Sequence, residues 1–247
     1  MPETFALVRL LNALLKGVEV KAFLSIGLGS ADAAQMAVKV NQALSLEMLI
    51  AGGLIAFFLI VRLTLSVEKP NPGQQIAEMI HEFTGSTADQ IIGHGYERFQ
   101  AFVTCVFLFV VINNLSGLIP GVVTPTSQPW VPLGIAVPTF FYYHFFGFRE
   151  QGFVGYMKQF AGPIWWIAPG LFLIEIISHF ARVMSLTIRL YANMLASDLV
   201  ALVFFSMMPV AIPAIFLGLH FAVSLIQAYV FMVLAMIYLS MAVSHEH

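Results

Sequence analysis

The chain has 247 residues, of which 60% are hydrophobic and 10% charged, and its formal net charge is -2. Soluble domains carry about 25% charged residues, so this composition excludes a soluble domain and describes an integral membrane protein. The charge balance argues for no nucleic acid and no anionic surface, and the single cysteine, Cys105, excludes an internal disulfide.

Residues 1–45 read as an amphipathic N-terminal segment. Phe5, Leu7, Val8, Leu11, Leu14, Leu15 and Val18 recur at helical spacing, but Arg9, Lys16 and Glu19 interrupt them. That pattern suits a helix lying at the membrane surface and not a cleavable signal core. The first spanning helix is predicted over 46–67, with Glu47 at its start and Arg62 near its end, where a long side chain can snorkel. A turn-rich stretch follows, and Ile76, Met79, Ile80, Phe83, Ile91 and Ile92 predict short amphipathic helices on the surface. A second span, 99–119, stops at Pro120 and Gly121. A loop with Pro125, Pro129 and Pro132 leads to a third, aromatic span at 133–148, and 149–163 reads as a polar connector closing at Pro163.

The last third has another character. Between Gly170 and Pro209 lie 38 residues without glycine or proline. As one helix they measure about 57 Å, nearly twice a hydrocarbon core of about 30 Å. Segment 164–208 is therefore predicted as one long, tilted helix. "PVAIP" at 209–213 turns the chain back into a second, 214–243, with Gly218 its one weak point. The predicted fold is an all-α membrane protein in a single domain over 1–247. It has five membrane-embedded helices and ends in a hairpin of two long, steeply tilted ones. Arg62, Lys69 and Arg98 flank the first connector and Arg149 and Lys158 lie in the third, which makes those connectors cytoplasmic by the positive-inside tendency. Arg9, Lys16, Lys21 and Lys39 argue for the opposite orientation.

Six ionisable groups, tyrosine aside, interrupt the oil from Leu171 to Val243: Glu175, His179, Arg182, Arg189, Asp198 and His220. A charge at the bilayer centre costs about 2.5–3.5 kcal/mol on insertion scales, so such residues face protein or water and are functional by default. Glu175, Arg182 and Arg189 recur every seven residues and drift only about 20° each time. His179 and Asn193 sit about 40° off that stripe, and Ser178 and Ser185 lie close to it. Asp198 points to about the opposite side. Arg182 also suits a snorkelling structural role, and His179 an ordinary interfacial one. By depth, Asp198 and His220 lie toward the hairpin and Glu175 toward the cytoplasm, with Arg189 between them. This layout suits two aqueous paths that stop at an arginine. An arginine stays protonated and cannot relay a proton. No carboxylate on its own helix is placed to neutralise Arg189, so its counter-charge is expected on another subunit. His220 and Gln227, seven apart, line one face of the last helix, where an interhelical hydrogen bond explains them equally well. Asp198 could also simply pair with His220. No phosphate loop, nucleophile motif or haem signature is present, and "SHEH" at the C-terminus carries no supported metal site, so no cofactor and no catalysis by this chain are expected.

"SLTIRLYANMLASD" at 185–198, followed by "HFAVSLIQAYVFMVLAMIYLSMA", closely resembles subunit a of the rotary F-type ATP synthase. The family pattern is an S-L-x-x-R-L-x-x-N-M segment, then a Q-A-[FY]-[IV]-F helix ending in Y-L-S-M-A. "NNLSGLIPG" at 113–121 resembles the end of the family's second span. The resemblance implies a stator subunit in the bacterial inner membrane. Its implied partners are a rotor ring of small hairpin subunits, each with a mid-membrane carboxylate, and the membrane anchors of a peripheral stalk; protons are the transported ion. Arg189 is implied to face the ring, with Asn193 beside it and Gln227 in support. Asp198 and His220 are implied to line the extracytoplasmic half-channel, and Glu175, with Ser178 and Ser185, the cytoplasmic one. The chain departs from the pattern at Val183, where many members have proline, at Ala192, where glycine is common, and at Asp198, where a longer glutamate or a histidine is usual. An ion-conducting subunit of a secondary transporter or respiratory pump is the alternative reading. Internal repeats and broken helices would mark a transporter, and neither is seen. A membrane scaffold is a third, and predicts replaceable charges.

Overall fold

The structure, a computed structural model, describes residues 30–66, 70–119, 124–161, 168–207 and 211–243. The N-terminal surface segment up to residue 29, the hairpin tip at 208–210 and the C-terminal "SHEH" lie outside the described residues. Those described form helices α1 (Ser30–Leu63), α2 (Pro72–Ile92), α3 (Glu97–Ser116), α4 (Trp130–Ala161), α5 (Ala168–Met207) and α6 (Ala211–Val243), with one 3-10 turn at Pro125–Ser127 between α3 and α4. No strand occurs among them. Five stretches are long and apolar enough to cross a membrane: Ala43–Leu63, Glu97–Ser116, Trp130–Gly152, Gly170–Phe204 and Ile215–Val243. The all-helical, five-span architecture is the one that the composition and the apolar runs predict.

α6 starts at Ala211, inside the stretch 209–213 predicted as a turn, and the larger boundary differences are three, each with a physical reason. α1 starts at Ser30, well before residue 46, so the helix runs unbroken from polar "SADAAQ" into the apolar span. The surface stretch holds one helix of 21 residues and not several short ones. Pro72 opens it at a position that needs no N–H, and Gly93, at φ 77, ends it. Within it, Gly85 lets α3 come close: a Cβ there would meet the Gln100 amide at 2.5 Å. Gln100 donates from Nε2 to the His81 carbonyl at 2.6 Å, and Thr84 and Thr104 share a buried hydroxyl pair at 2.8 Å. Finally, α4 does not stop at residue 148. It continues to Ala161 through a kink at Gly152, whose φ of 70 and ψ of 162 belong to glycine alone.

The largest buried cluster joins the last four helices and takes in Ala43 of α1. Val106 and Val110 of α3, Val131, Ile135 and Ala136 of α4, Val183, Leu186, Leu190 and Met194 of α5, and Ala228 and Phe231 of α6 are buried together. On α5 the buried positions 183, 186, 190 and 194 recur every three or four residues, the stripe of a helix with one face inside. The opposite stripe, including Met184, Ser185, Ile188, Arg189, Ala192, Asn193 and Ala196, is exposed. α5 is unbroken over 40 residues, about 60 Å at a helical rise. α6 packs along it and places His220, Ser224, Gln227, Phe231 and Leu239 inside.

Candidate functional site

Polar side chains gather at three levels along α5 and α6. Near the hairpin, the 3-10 turn tucks Thr124, Thr126 and Ser127 into the protein, all buried. A segment that reads as a proline-rich loop therefore becomes a wall of the polar interior. Thr124 donates its hydroxyl to Asp198 Oδ1 at 2.9 Å, and Ser127 donates to the Thr124 carbonyl at 2.7 Å. Thr126 donates to Asn114 Oδ1 at 2.8 Å, while Asn114 Nδ2 donates to the Ser224 carbonyl at 3.3 Å. Asn114 is fully buried by these bonds, so the glycosylation-like "NLS" at 114–116 is a packing motif in the core.

His220 sits at the centre of this cluster, 2% exposed. Its Nε2 lies 3.3 Å from the Asn114 carbonyl, which only accepts, so in the neutral ring the proton sits on Nε2. Nδ1 then accepts from Ser197 Oγ at 2.7 Å. Asp198 Oδ1 is 3.8 Å from the same Nδ1, the outer edge of an ion pair. The shorter aspartate therefore approaches His220 without displacing Ser197, and its direct hydrogen bond is to Thr124.

Arg189 stands between the two ends of the hairpin on the exposed stripe of α5. Its one described contact is Nη2 to Ser185 Oγ at 3.3 Å, and among the described residues it forms no ion pair. One turn on, Asn193 donates from Nδ2 to Gln227 Oε1 at 2.9 Å, linking α5 to a buried glutamine of α6 directly beside the arginine. Ser178 is half-buried on α5 and takes no part in the described hydrogen bonds.

At the far end, away from the hairpin, Glu175, His179 and Arg182 meet residues of two other helices. Glu175 Oε1 lies 3.3 Å from His179 Nε2 and 3.8 Å from Arg182 Nη2, and Arg182 also stands over the Tyr238 ring. Tyr143 of α4 approaches His179 Nδ1 at 3.0 Å. Past the Gly152 kink, α4 brings Tyr156 back so that its hydroxyl lies 2.7 Å from His144 Nδ1. Burial pushes the Tyr156 phenol up to about 12, so it stays protonated, and the His144 tautomer sets which of the two donates. Glu175, His179, Arg182, Tyr156 and Tyr238 line a cavity of about 40 Å³, enough for water.

The structure thus gathers Asp198 with His220, and Asn193 with Gln227, and leaves Glu175 some fourteen residues, or about 21 Å of helix, from Arg189. Sequence reading alone passes over Asn114, Thr124, Thr126, Ser127 and Ser197 at one end and Tyr143, His144, Tyr156 and Tyr238 at the other. Asn114, Ser197 and Tyr238 lie inside the quoted motifs without being singled out there; the others are hydroxyls and rings that look ordinary until the helices pack. Among the described residues no group of three histidine, cysteine, aspartate or glutamate side chains is arranged to hold a metal ion.

Residues 45–240 match the family described as ATP synthase A chain. The chain is similar to ATP synthase subunit a of Koribacter versatilis (strain Ellin345), 50% identical over 208 residues that cover 84% of this chain and 85% of that protein. It is also similar to the subunit a of Solibacter usitatus (strain Ellin6076), 41% identical over 82% of this chain and 87% of the relative. That of Bdellovibrio bacteriovorus is 38% identical over 70% and 75%.

Proposed function

The chain belongs to the ATP synthase subunit a family, and from that premise we propose how its geometry performs the stator's part in a proton-driven rotary motor. It is the proton-channel subunit of the membrane sector, a multi-pass membrane protein that works with a rotor ring and a stalk. Its finer assignments follow. The membrane is the bacterial inner membrane, and the chain itself carries out no covalent chemistry. On the basic-residue topology, the hairpin end faces outward and the Glu175 end faces the cytoplasm.

The observation that carries the reading is the place of Arg189: a permanent cation, on an exposed stripe, with no carboxylate partner among the described residues. An ionised carboxylate is far costlier in hydrocarbon than a neutral one. A ring carboxyl can therefore travel through lipid only when protonated. Opposite Arg189 the balance reverses, because the guanidinium favours the ionised form. The ring carboxylate gives up its proton toward the Glu175 end before it meets Arg189 and takes one up from the Asp198–His220 end after it. Asn193, held by Gln227, flanks the contact and keeps it on register. Ser185 holds the guanidinium. The fixed charge also repels a proton that would pass directly between the two ends, so flux is forced through rotation.

Arg189→Ala should abolish ATP synthesis driven by a proton gradient in membrane vesicles while leaving the complex assembled. Wild-type ATP-driven proton pumping by that variant would overturn the stator role.

A further inference from the structure

His179 has no task in the proton path as drawn, yet it is one of the most constrained side chains in the cytoplasmic cluster. It is 8% exposed, and both ring nitrogens are met by polar groups from different directions. Nδ1 lies 3.0 Å from Tyr143 Oη, across the α4–α5 interface. Nε2 lies 3.3 Å from Glu175 Oε1, one turn back on α5. An ionised carboxylate only accepts, whereas a phenol hydroxyl donates or accepts. A neutral ring that serves both partners therefore carries its proton on Nε2, toward Glu175, and accepts the Tyr143 hydroxyl at Nδ1. Among the described residues, the remaining charged and titratable groups facing the pair are Arg182 on α5, His144 and Tyr156 on α4, and Tyr238 on α6.

Two features mark this cluster as built and not incidental. Gly147 has no side chain where a Cβ would meet the Tyr156 ring at 2.5 Å, and Gly152 supplies the kink that returns Tyr156 to the cluster. The two glycines thus let Tyr156 take its place in the wall of the cavity. Second, the His144 and His179 rings lie with centroids 4.7 Å apart, which packs a second ring of α4 against His179.

We infer that His179 is a positioning residue for Glu175: its Nε2–H holds the carboxylate at the mouth of the cavity, and the Tyr143 hydroxyl holds the imidazole in the tautomer that does so. No bond is made or broken at His179; it fixes where Glu175 exchanges its proton with water. Ring orientation set by a hydrogen bond at the other nitrogen is the same device that orients histidines at metal sites. The inference rests on the reading that Glu175 serves the cytoplasmic path.

The test is the initial rate of ATP-driven proton pumping by the whole complex in inside-out vesicles, normalised to the amount of assembled complex. His179→Gln keeps a donor toward Glu175 and an acceptor for Tyr143, and should pump within about twofold of wild type. His179→Phe keeps the ring shape and loses both bonds. It should pump slower by on the order of tenfold, the usual weight of a hydrogen bond to a charged group. Tyr143→Phe removes one hydroxyl and should fall between the two; it also serves if His179→Phe fails to assemble. A wild-type rate for His179→Phe, or a His179→Gln rate as low as that of His179→Phe, overturns the inference, as does a wild-type rate for Tyr143→Phe where His179→Phe does not assemble. Glu175→Gln is read separately: a wild-type rate there removes Glu175 from the path and takes this inference with it. Slow pumping by Glu175→Gln with wild-type pumping by His179→Phe overturns the positioning role alone.

Discussion

Position 117 decides how Asp198 is solvated. A Cβ on Gly117 would collide with Thr124 Oγ1 and come within 3.1 Å of His220 Nε2. Only a residue without a side chain lets the 3-10 turn fold onto α5 and hand its hydroxyl to Asp198. Gly117→Ala should therefore act at a distance, pushing Thr124 away from Asp198 without touching the carboxylate. It should slow proton pumping in vesicles more than Thr124→Val does, since the valine removes one hydrogen bond and leaves the packing in place. Equal rates for Gly117→Ala and wild type would show that the turn can move aside freely. Asp198→Ala belongs to the same group: it should cut proton flux while the complex still assembles, because its described bonds are to Thr124 and, at long range, His220, and not to the apolar core. Flux at the wild-type level would reduce Asp198 to a packing residue.

At the scale of elements, what the sequence makes readable is periodicity and what it hides is packing. The five spans are legible because 20-odd apolar residues in a row have few alternatives in lipid. α5 is legible as one helix because no glycine or proline breaks residues 171–208. Arg189 and Asn193 fall on the exposed stripe as their helical angle predicts, and Asp198 on a face turned toward Thr124 and His220, whereas His179, placed near the same seam, is buried against Tyr143 of α4. The continuation of α4 past residue 148 is not legible, since "REQGFVGYMKQFA" has the charges and glycines of a connector. Its helical state is settled by what Tyr156 and Gln151 touch. Gln151 donates to the Ala242 carbonyl at the end of α6 at 3.1 Å, and Arg98 pairs with Glu150 at 2.6 Å. Likewise no local pattern marks Thr124–Ser127 as buried; their hydroxyls find partners only once α3, α5 and α6 are assembled. These tertiary bonds make Gly152 a sensitive point. Its φ of 70 and ψ of 162 lie in a region where any side chain costs about 1–3 kcal/mol. Gly152→Ala should lower the thermal stability of the detergent-solubilised complex and detach Tyr156 from His144. A melting temperature equal to wild type would mean that the kink relaxes without strain.

Across the whole molecule, α5 divides inside from outside along its length, and that division predicts where another protein touches it. Val183, Leu186, Leu190 and Met194 are sealed in the shared core, whereas Met184, Ile188, Ala192 and Ala196 share a stripe with Arg189. An apolar stripe in lipid needs no cover, but a bare guanidinium there does, because hydrocarbon offers it neither water nor counter-charge. The energetics thus point to a protein surface bearing carboxylates, pressed against this stripe and sliding along it. Small side chains at Ala192 and Ala196 allow such a partner to approach closely beside the arginine, in the way small residues serve helix contacts in membranes. Single cysteines placed at Ala192, Asn193 and Ala196 should form disulfides with cysteines on the outer helices of the rotor ring under mild oxidation. Those at Leu186, Leu190 and Met194 should not. The crosslinks should also stop ATP-driven rotation and be released by reductant. Crosslinking that ran instead through the buried positions would mean that the core stripe opens toward the ring, and Arg189 would then face lipid with no partner to meet.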